Sequence, residues 1–460
     1  MTKTVWNNYN DVQLAELNAL SEKYIDFISV NKTERECVRS MVKALDENGY
    51  KRLDTLTSVK AGDRVYAVHM GKTVVIYNIG TDPLEQGMNI LGAHIDSPRL
   101  DIKQKPLYES GEFAYLDTHY YGGIKKYQWV TIPLAIHGIV VKKSGEKVEI
   151  NLGEKESDPV FFISDLLVHL SQEQLEKKAA KVIDGEALDV IAASVPLDSE
   201  ETDAVKANLL KLLADTYSID EDDFLSAELE VVPAGRAREA GFDRAMILGY
   251  GHDDRSCAYT SFAAMLESGS LKRTACCILT DKEEIGSVGA TGMHSRFFED
   301  TTAELLSLMG NFSELNLRRT MRNSLMLSSD VSSAYDSLYS EVFDAKNVAY
   351  LGRGVVFNKF TGSRGKSGSN DANPEFIALI RNILDGENVA FQTAELGKVD
   401  RGGGGTIAYI LANYGMNVID CGVPVLNMHA PWEAVSKADI YEAKKCYTAF
   451  INKAYRLKIE

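Results

Sequence analysis

The sequence predicts an α/β protein: a mixed central sheet flanked by helices, interrupted by an inserted β-rich domain. Strand-like and helical runs alternate before about residue 100 and again from Ala245 onward, the pattern of a sheet covered on both faces. Between them, residues 101–240 have a different texture, with strand-like runs joined by charged turns. The chain has 460 residues, enough for two or three domains and a large core. The expected division is therefore 1–100 with 241–460 as one domain and 101–240 as the other.

The chain opens with helices. Thr33-Glu34-Arg35-Glu36 is a capping box; Val38, Met41, Val42 and Leu45 then keep one apolar face, and Gly49 can stop the helix. Strands are expected at 64–69, 73–79 and 89–93, the last a mostly buried run ending in His94-Ile95-Asp96. In the inserted segment Tyr120-Tyr121-Gly122-Gly123 leads into strands at 130–141, 147–152 and 161–163, and a helix at 202–214 lies in an acid-rich stretch, 198–223. Further strands are expected at 275–279, 325–328 and 418–420, with helices at 257–268, 376–384 and 436–457. The last helix has its own capping box, Ser436 to Asp439, and an apolar face of Ile440, Ala443, Tyr447, Ile451 and Ala454. The Gly/Ser-rich stretches 361–369 and 402–405 read as mobile loops, and no repeat of solenoid spacing is present.

Composition narrows the classes of function. At 45% hydrophobic and 25% charged residues, the chain reads as ordinary globular protein. A net charge of −16 argues against nucleic-acid or anionic-membrane partners. The start, MTKTVWNNYNDVQ, lacks a basic segment followed by an apolar one, so no secretory signal is expected. The most apolar long stretch, 130–141, is too short to span a bilayer. Six cysteines without CxxC spacing read as free thiols of a reducing cytoplasm.

Five places put metal-type side chains at the ends of apolar runs: His94 in NILGAHIDSPRLD, Asp253 in GYGHDDRSCAY, the pair Glu283-Glu284 in DKEEIGSVGATG, Asp330 in LMLSSDVSSAYD and His429 in VPVLNMHAPWE. Residues just past the carboxyl ends of strands converge on one crevice in an α/β sheet, so groups far apart in sequence can share a site. Imidazole with carboxylate suits zinc, manganese or cobalt, and the absence of a cysteine cluster argues against a structural zinc site. Taken alone, each place has an ordinary reading. An EE pair is usually a solvated acidic turn, and Asp253-Asp254 could cap a helix. His94-x-Asp96 says more, because Asp96 can bond the far ring nitrogen and fix its tautomer. In the glutamate pair, one carboxylate could hold a metal while its neighbour takes a proton from water.

The order HxD, Asp-Asp, EEIGS, SxD and MH resembles the aspartyl aminopeptidase and aminopeptidase I family, of the wider clan of dinuclear zinc exopeptidases. GAHIDSPRLD, DKEEIGSVGATG and VLNMHAPWE are the strings most similar to it, joined by THYYGGIKKYQW and ISDLLVHL in the inserted segment. The resemblance covers nearly the whole chain. It implies a metal-dependent aminopeptidase that removes amino-terminal residues from peptides through a water shared by two divalent ions. Zinc is expected first, with cobalt or manganese as alternatives. It implies that Asp253 bridges the ions, that His94 and Asp330 complete one site and Glu284 and His429 the other. Glu283 would be the general base, and Asp96 would support His94. His169 would reach a neighbouring subunit's active site. The inserted domain would make dimer contacts, and dimers would assemble into a dodecamer.

Three departures stand out: Asp254 where the family usually has Asn, SSAYDSLYSE in place of a His-Pro-Asn-Tyr string, and RGGGGTIAY in place of Gly-Ser-Thr-Ile-Gly. They leave the metal-type residues intact. They bear on the substrate pocket, and so on the acidic preference in the family name. Lys359, Arg364, Lys366, Lys398 and Arg401 are the candidate partners for an acidic side chain. The other readings are a related two-metal carboxypeptidase or deacylase, and a non-catalytic metal-holding scaffold, against which the spare carboxylate of Glu283 argues.

Overall fold

The computed structural model describes residues 4–198 and 202–455. It divides into two compact units, Met1–Asp96 with Ala237–Met428 and Glu433–Glu460, and Ser97–Arg236 with His429–Trp432. The sequence reading put the corresponding boundaries near 100 and 240.

The first unit is built on a nine-stranded mixed sheet. Its middle consists of four parallel strands, Ala275–Thr280, Asn89–His94, Leu325–Ser328 and Asn417–Gly422. These are short runs, buried throughout except for half-buried Asn417, as strands covered on both faces must be. Alternate side chains enter different apolar clusters. Leu91, Cys277, Leu279 and Leu327 pack with the helices Glu34–Glu47, His252–Glu267 and Lys437–Lys453. Ile90, Cys276, Ile278 and Met326 pack with Phe297–Leu308 and Glu314–Arg322. Burying each leucine, isoleucine or methionine among them contributes about 1.5–3 kcal/mol, and the period of two divides that gain between the two faces. A second sheet of five short strands, among them Met246–Gly249 and Glu433–Ser436, completes this unit.

The capping box at Thr33 is present in both halves: the Thr33 hydroxyl accepts from Glu36 N–H, and the Glu36 carboxylate accepts from Thr33 N–H. At the last helix only half of the expected box forms. Ser436 accepts from Ala438 N–H, but the Asp439 carboxylate turns away to accept the N–H groups of Gly352 and Gly354, both at 2.7 Å. That helix is Lys437–Lys453; Arg456 and Leu457 of the expected span lie outside the described residues. The stretches 361–369 and 402–405 bond to one another, Gly362 N–H to Gly404 C=O.

The second unit carries a six-stranded antiparallel sheet. The expected strand 147–152 is present, and 130–141 shortens to Leu134–Val141. The expected strand at 161–163 is not formed; Phe161 and Phe162 make only isolated bridges, to Leu134 and Ile191. The long hairpin Arg99–Ser110 with Phe113–Tyr121, and the strand Ala227–Pro233, were not anticipated. The helix is Ala204–Tyr217. Among the described residues no helix is long and apolar enough to cross a membrane.

Candidate metal centre

His94 is the last residue of the strand Asn89–His94 and is paired across to Thr280, the last residue of its parallel neighbour. The ends of two central strands therefore deliver their following residues to one place. Ile95 N–H continues the pairing to Thr280 C=O at 2.9 Å. After Thr280 the chain turns sharply: Lys282 takes the left-handed region at φ 70° and Gly286 at 95°, and between them Glu283–Ile285 forms one tight turn. A left-handed Lys costs free energy that the surrounding contacts must offset. Asp330 follows the strand Leu325–Ser328. Its carbonyl passes so close to Gly422 that a Cβ there would lie 1.8 Å from it, so only glycine lets the Asp330 backbone run where it does.

Asp253 comes from a different element. It lies at the start of the helix His252–Glu267, where Asp253 and Asp254 have non-helical dihedrals and the peptide joining them is cis. Arg255, buried behind them, donates to Lys32 C=O at 2.7 Å and to Ile95 C=O at 3.3 Å, which ties this turn to the end of the His94 strand.

These elements bring together six of the residues expected from sequence: His94, Asp96, Asp253, Glu283, Glu284 and Asp330. His94 Nε2 lies 3.3 Å from Asp253 Oδ1 and 3.9 Å from Glu283 Oε2. Ligand atoms of His94, Glu283 and Asp330 lie within 4.8 Å of one another, as do those of His94, Asp253 and Glu284. On its other side His94 Nδ1 is 3.0 Å from the Asp96 carbonyl and 3.2 Å from the Asp96 carboxylate. The two oxygens of Asp96 also accept the N–H groups of Glu283 and Glu284, each at 3.2 Å. One buried carboxylate thus aims the imidazole and holds the glutamate turn.

Sequence reasoning left two neighbours without a role. Asp254 accepts His94 N–H through Oδ2 at 3.3 Å and forms a third compact group with Asp253 and Asp330. Glu433 accepts Asp253 N–H at 3.0 Å. Asp254 was visible as the second residue of Asp-Asp, and Glu433 as the end of the HAPWE string. Neither type of residue signals that its target is a distant backbone N–H.

His429 and His169 belong to the second unit. His429 takes φ 66°, and its Nδ1 lies 2.8 Å from Gly123 C=O. His169 is exposed in the short turn Val168–Leu170. Among the cations weighed for substrate, Lys359 and Lys366 both pair with Asp371, and Lys398 Nζ donates to Glu341 C=O at 2.8 Å.

The electrostatics fit a cation. Burial, then the charges of Asp254 and Glu283, push the Asp330 carboxyl well above the usual range. Burial does the same to Asp254, with Asp253 adding to it. Burial works against a charged His94, but its bonds to Asp253 and Asp96 outweigh that and hold the imidazole well above its ordinary range. Carboxylates this crowded are costly unless a positive charge joins them. A donor set of imidazole and carboxylate oxygens suits zinc and similar divalent ions.

An imidazole–carboxylate centre at the carboxyl ends of a mixed α/β sheet is the donor set of a divalent-metal enzyme. Residues 27–451 match the family model of the aminopeptidase I zinc metalloproteases, M18. A probable M18 family aminopeptidase 1 of Clostridium acetobutylicum is 60% identical over 98% of each chain. The crystal structure of an M18 aminopeptidase from Thermotoga maritima superposes with a TM-score of 0.96 at 44% identity, over 99% of this chain and 100% of that one. The mApe1 dodecamer of S. cerevisiae shares the fold, with a TM-score of 0.74 at 20% identity over 96% of this chain and 97% of that one. The chain belongs to the M18 family of aminopeptidases and is a metal-dependent aminopeptidase of the zinc metalloprotease type.

Proposed function

We propose that the chain removes amino-terminal residues from peptides with two divalent ions, for both of which Asp253 would be a ligand. His94 and Asp330 would complete one site, and Glu284 the other together with His429, which the family resemblance supplies. The observation that carries this is the pair of overlapping groups sharing His94, one with Glu283 and Asp330 and one with Asp253 and Glu284. When bound, such ions polarise a carbonyl and bring the pKa of water toward neutrality. Glu283 then takes a proton from the attacking water and hands it to the leaving amine. Asp96 keeps the Glu283 turn and the His94 ring in register for that transfer through its three contacts. His94 and Glu283 are also close enough to share an ion, so distance alone does not separate base from ligand. What favours Glu283 as base is its place in the resemblance, and substitution tests it.

The test is a panel of free-amine and N-acetylated aminoacyl nitroanilides, with metal content measured on the same protein. Hydrolysis of the free-amine series alone, with two ions per chain, supports the reading. Turnover of the blocked series, or full activity with one ion, overturns it. The resemblance also implies a preference for acidic amino-terminal residues. Asp371 already engages Lys359 and Lys366, so that preference would fall to Arg364 and Arg401, and the same panel reads it. The six cysteines are buried and unbridged, which supports a reducing cytoplasm as the working compartment. We assign the chain to a dodecamer, the assembly named for the mApe1 structure of S. cerevisiae, built from dimers as the family resemblance implies, with His169 acting in a neighbouring subunit.

A further inference from the structure

We infer that Glu433 is a positioning residue for the metal centre: it holds Asp253 by its backbone, so that the Asp253 carboxylate stands ready for metal. The inference rests on Asp253 being a ligand, as proposed above.

The local backbone makes such a hold necessary. Asp253 and Asp254 sit at the head of the helix His252–Glu267 with dihedrals of −82°, 107° and −114°, 23°. The regular helix begins only after them, and the N–H groups of a helix's first turn have no partner within the helix. Asp253 is 3% exposed, so water does not readily serve its amide. A buried N–H left unmade costs about 1–3 kcal/mol, enough for the turn to rotate toward another acceptor.

Glu433 supplies that acceptor from a rigid element. It opens the strand Glu433–Ser436 and pairs with Gly249, the end of the strand Met246–Gly249 that leads into the Asp253 turn. Its Oε2 meets Asp253 N–H at 3.0 Å, and the residue is 1% exposed. A carboxylate there also complements the positive end of the helix. The same amide leads into the side chain whose Oδ1 lies 3.3 Å from His94 Nε2. The backbone of Asp253 is therefore fixed from one side by Glu433, while its carboxylate faces the imidazole on the other. Partners at this remove orient ligands and tune their affinity.

The experiment measures zinc affinity of the metal-free protein by competition with a chromophoric chelator, alongside its unfolding temperature without metal. Glu433→Ala should weaken zinc by about tenfold or more, the usual cost of losing an outer partner of a ligand. Glu433→Gln keeps an oxygen acceptor for Asp253 N–H and should stay within about fivefold of wild type, since that bond loses its charge but keeps its acceptor. A purely structural strut would lower the unfolding temperature of the metal-free protein without this split in zinc affinity. If the alanine variant does not fold, Glu433→Asp replaces it: the charge remains but the acceptor is one methylene short, and zinc should again weaken. Wild-type zinc affinity in the alanine or aspartate variant, or equal loss in Gln and Ala, overturns the inference. Asp253→Asn is the control. If it loses zinc while Glu433→Ala does not, only this inference fails; if it binds zinc like wild type, the reading of Asp253 as a ligand fails first.

Discussion

Asp96 shows how much of the centre depends on one side chain. Its carboxylate faces His94 Nδ1 and accepts two consecutive N–H groups, those of Glu283 and Glu284. Asp96→Asn keeps the shape but turns one acceptor into a donor, which must then face an N–H donor or the ring. The expected result is a fall of about 10–100-fold in kcat or zinc affinity, read by steady-state kinetics and chelator competition; values within twofold of wild type would remove Asp96 from that role. The residues legible in sequence were those with a charged or imidazole head at the end of an apolar run, His94, Asp253, Glu284 and Asp330, which the fold brings close together. Asp254 and Glu433 were not legible, because each acts on a backbone N–H, of His94 and of Asp253, that only folding brings near.

Among the elements, the short apolar strands and the capped helices could be read directly, because burial on both faces leaves a continuous run and a cap leaves a fixed spacing. The Thr33 box is the cleanest case, and Thr33→Ala should cost about 1 kcal/mol of stability, seen as a lowered unfolding midpoint in urea; no shift would mean that the box adds nothing. The hairpin of the second unit was illegible for a physical reason. Arg99–Ser110 contains Lys103, Gln104 and Lys105, and its register slips between Ile102 and Leu107, so a bulge breaks the period of two that marks a strand. The opposite error occurred at 161–163, where a short apolar run has bridges but no ladder. At Ser436 the expected partner within the box, Asp439, instead serves Gly352 and Gly354, a long-range demand that local spacing cannot reveal.

For the whole molecule, the sequence conveyed a mixed α/β body with a β-rich segment within it, and the M18 relationship accounts for almost the full length. Assembly is a property of many copies. His169, exposed in its turn, would act there: His169→Ala should keep zinc and the assembled mass in light scattering yet lose most turnover, and unchanged turnover would confine that residue to structure. Glu283 and Glu284, adjacent in sequence, would divide proton transfer and metal binding between them. The direct measurement is zinc content and free-amine nitroanilide hydrolysis of Glu283→Gln on one preparation. The expected result is both zinc ions retained and kcat reduced by at least about 100-fold, the scale of general-base catalysis; loss of zinc, or turnover within a few fold of wild type, would contradict that division.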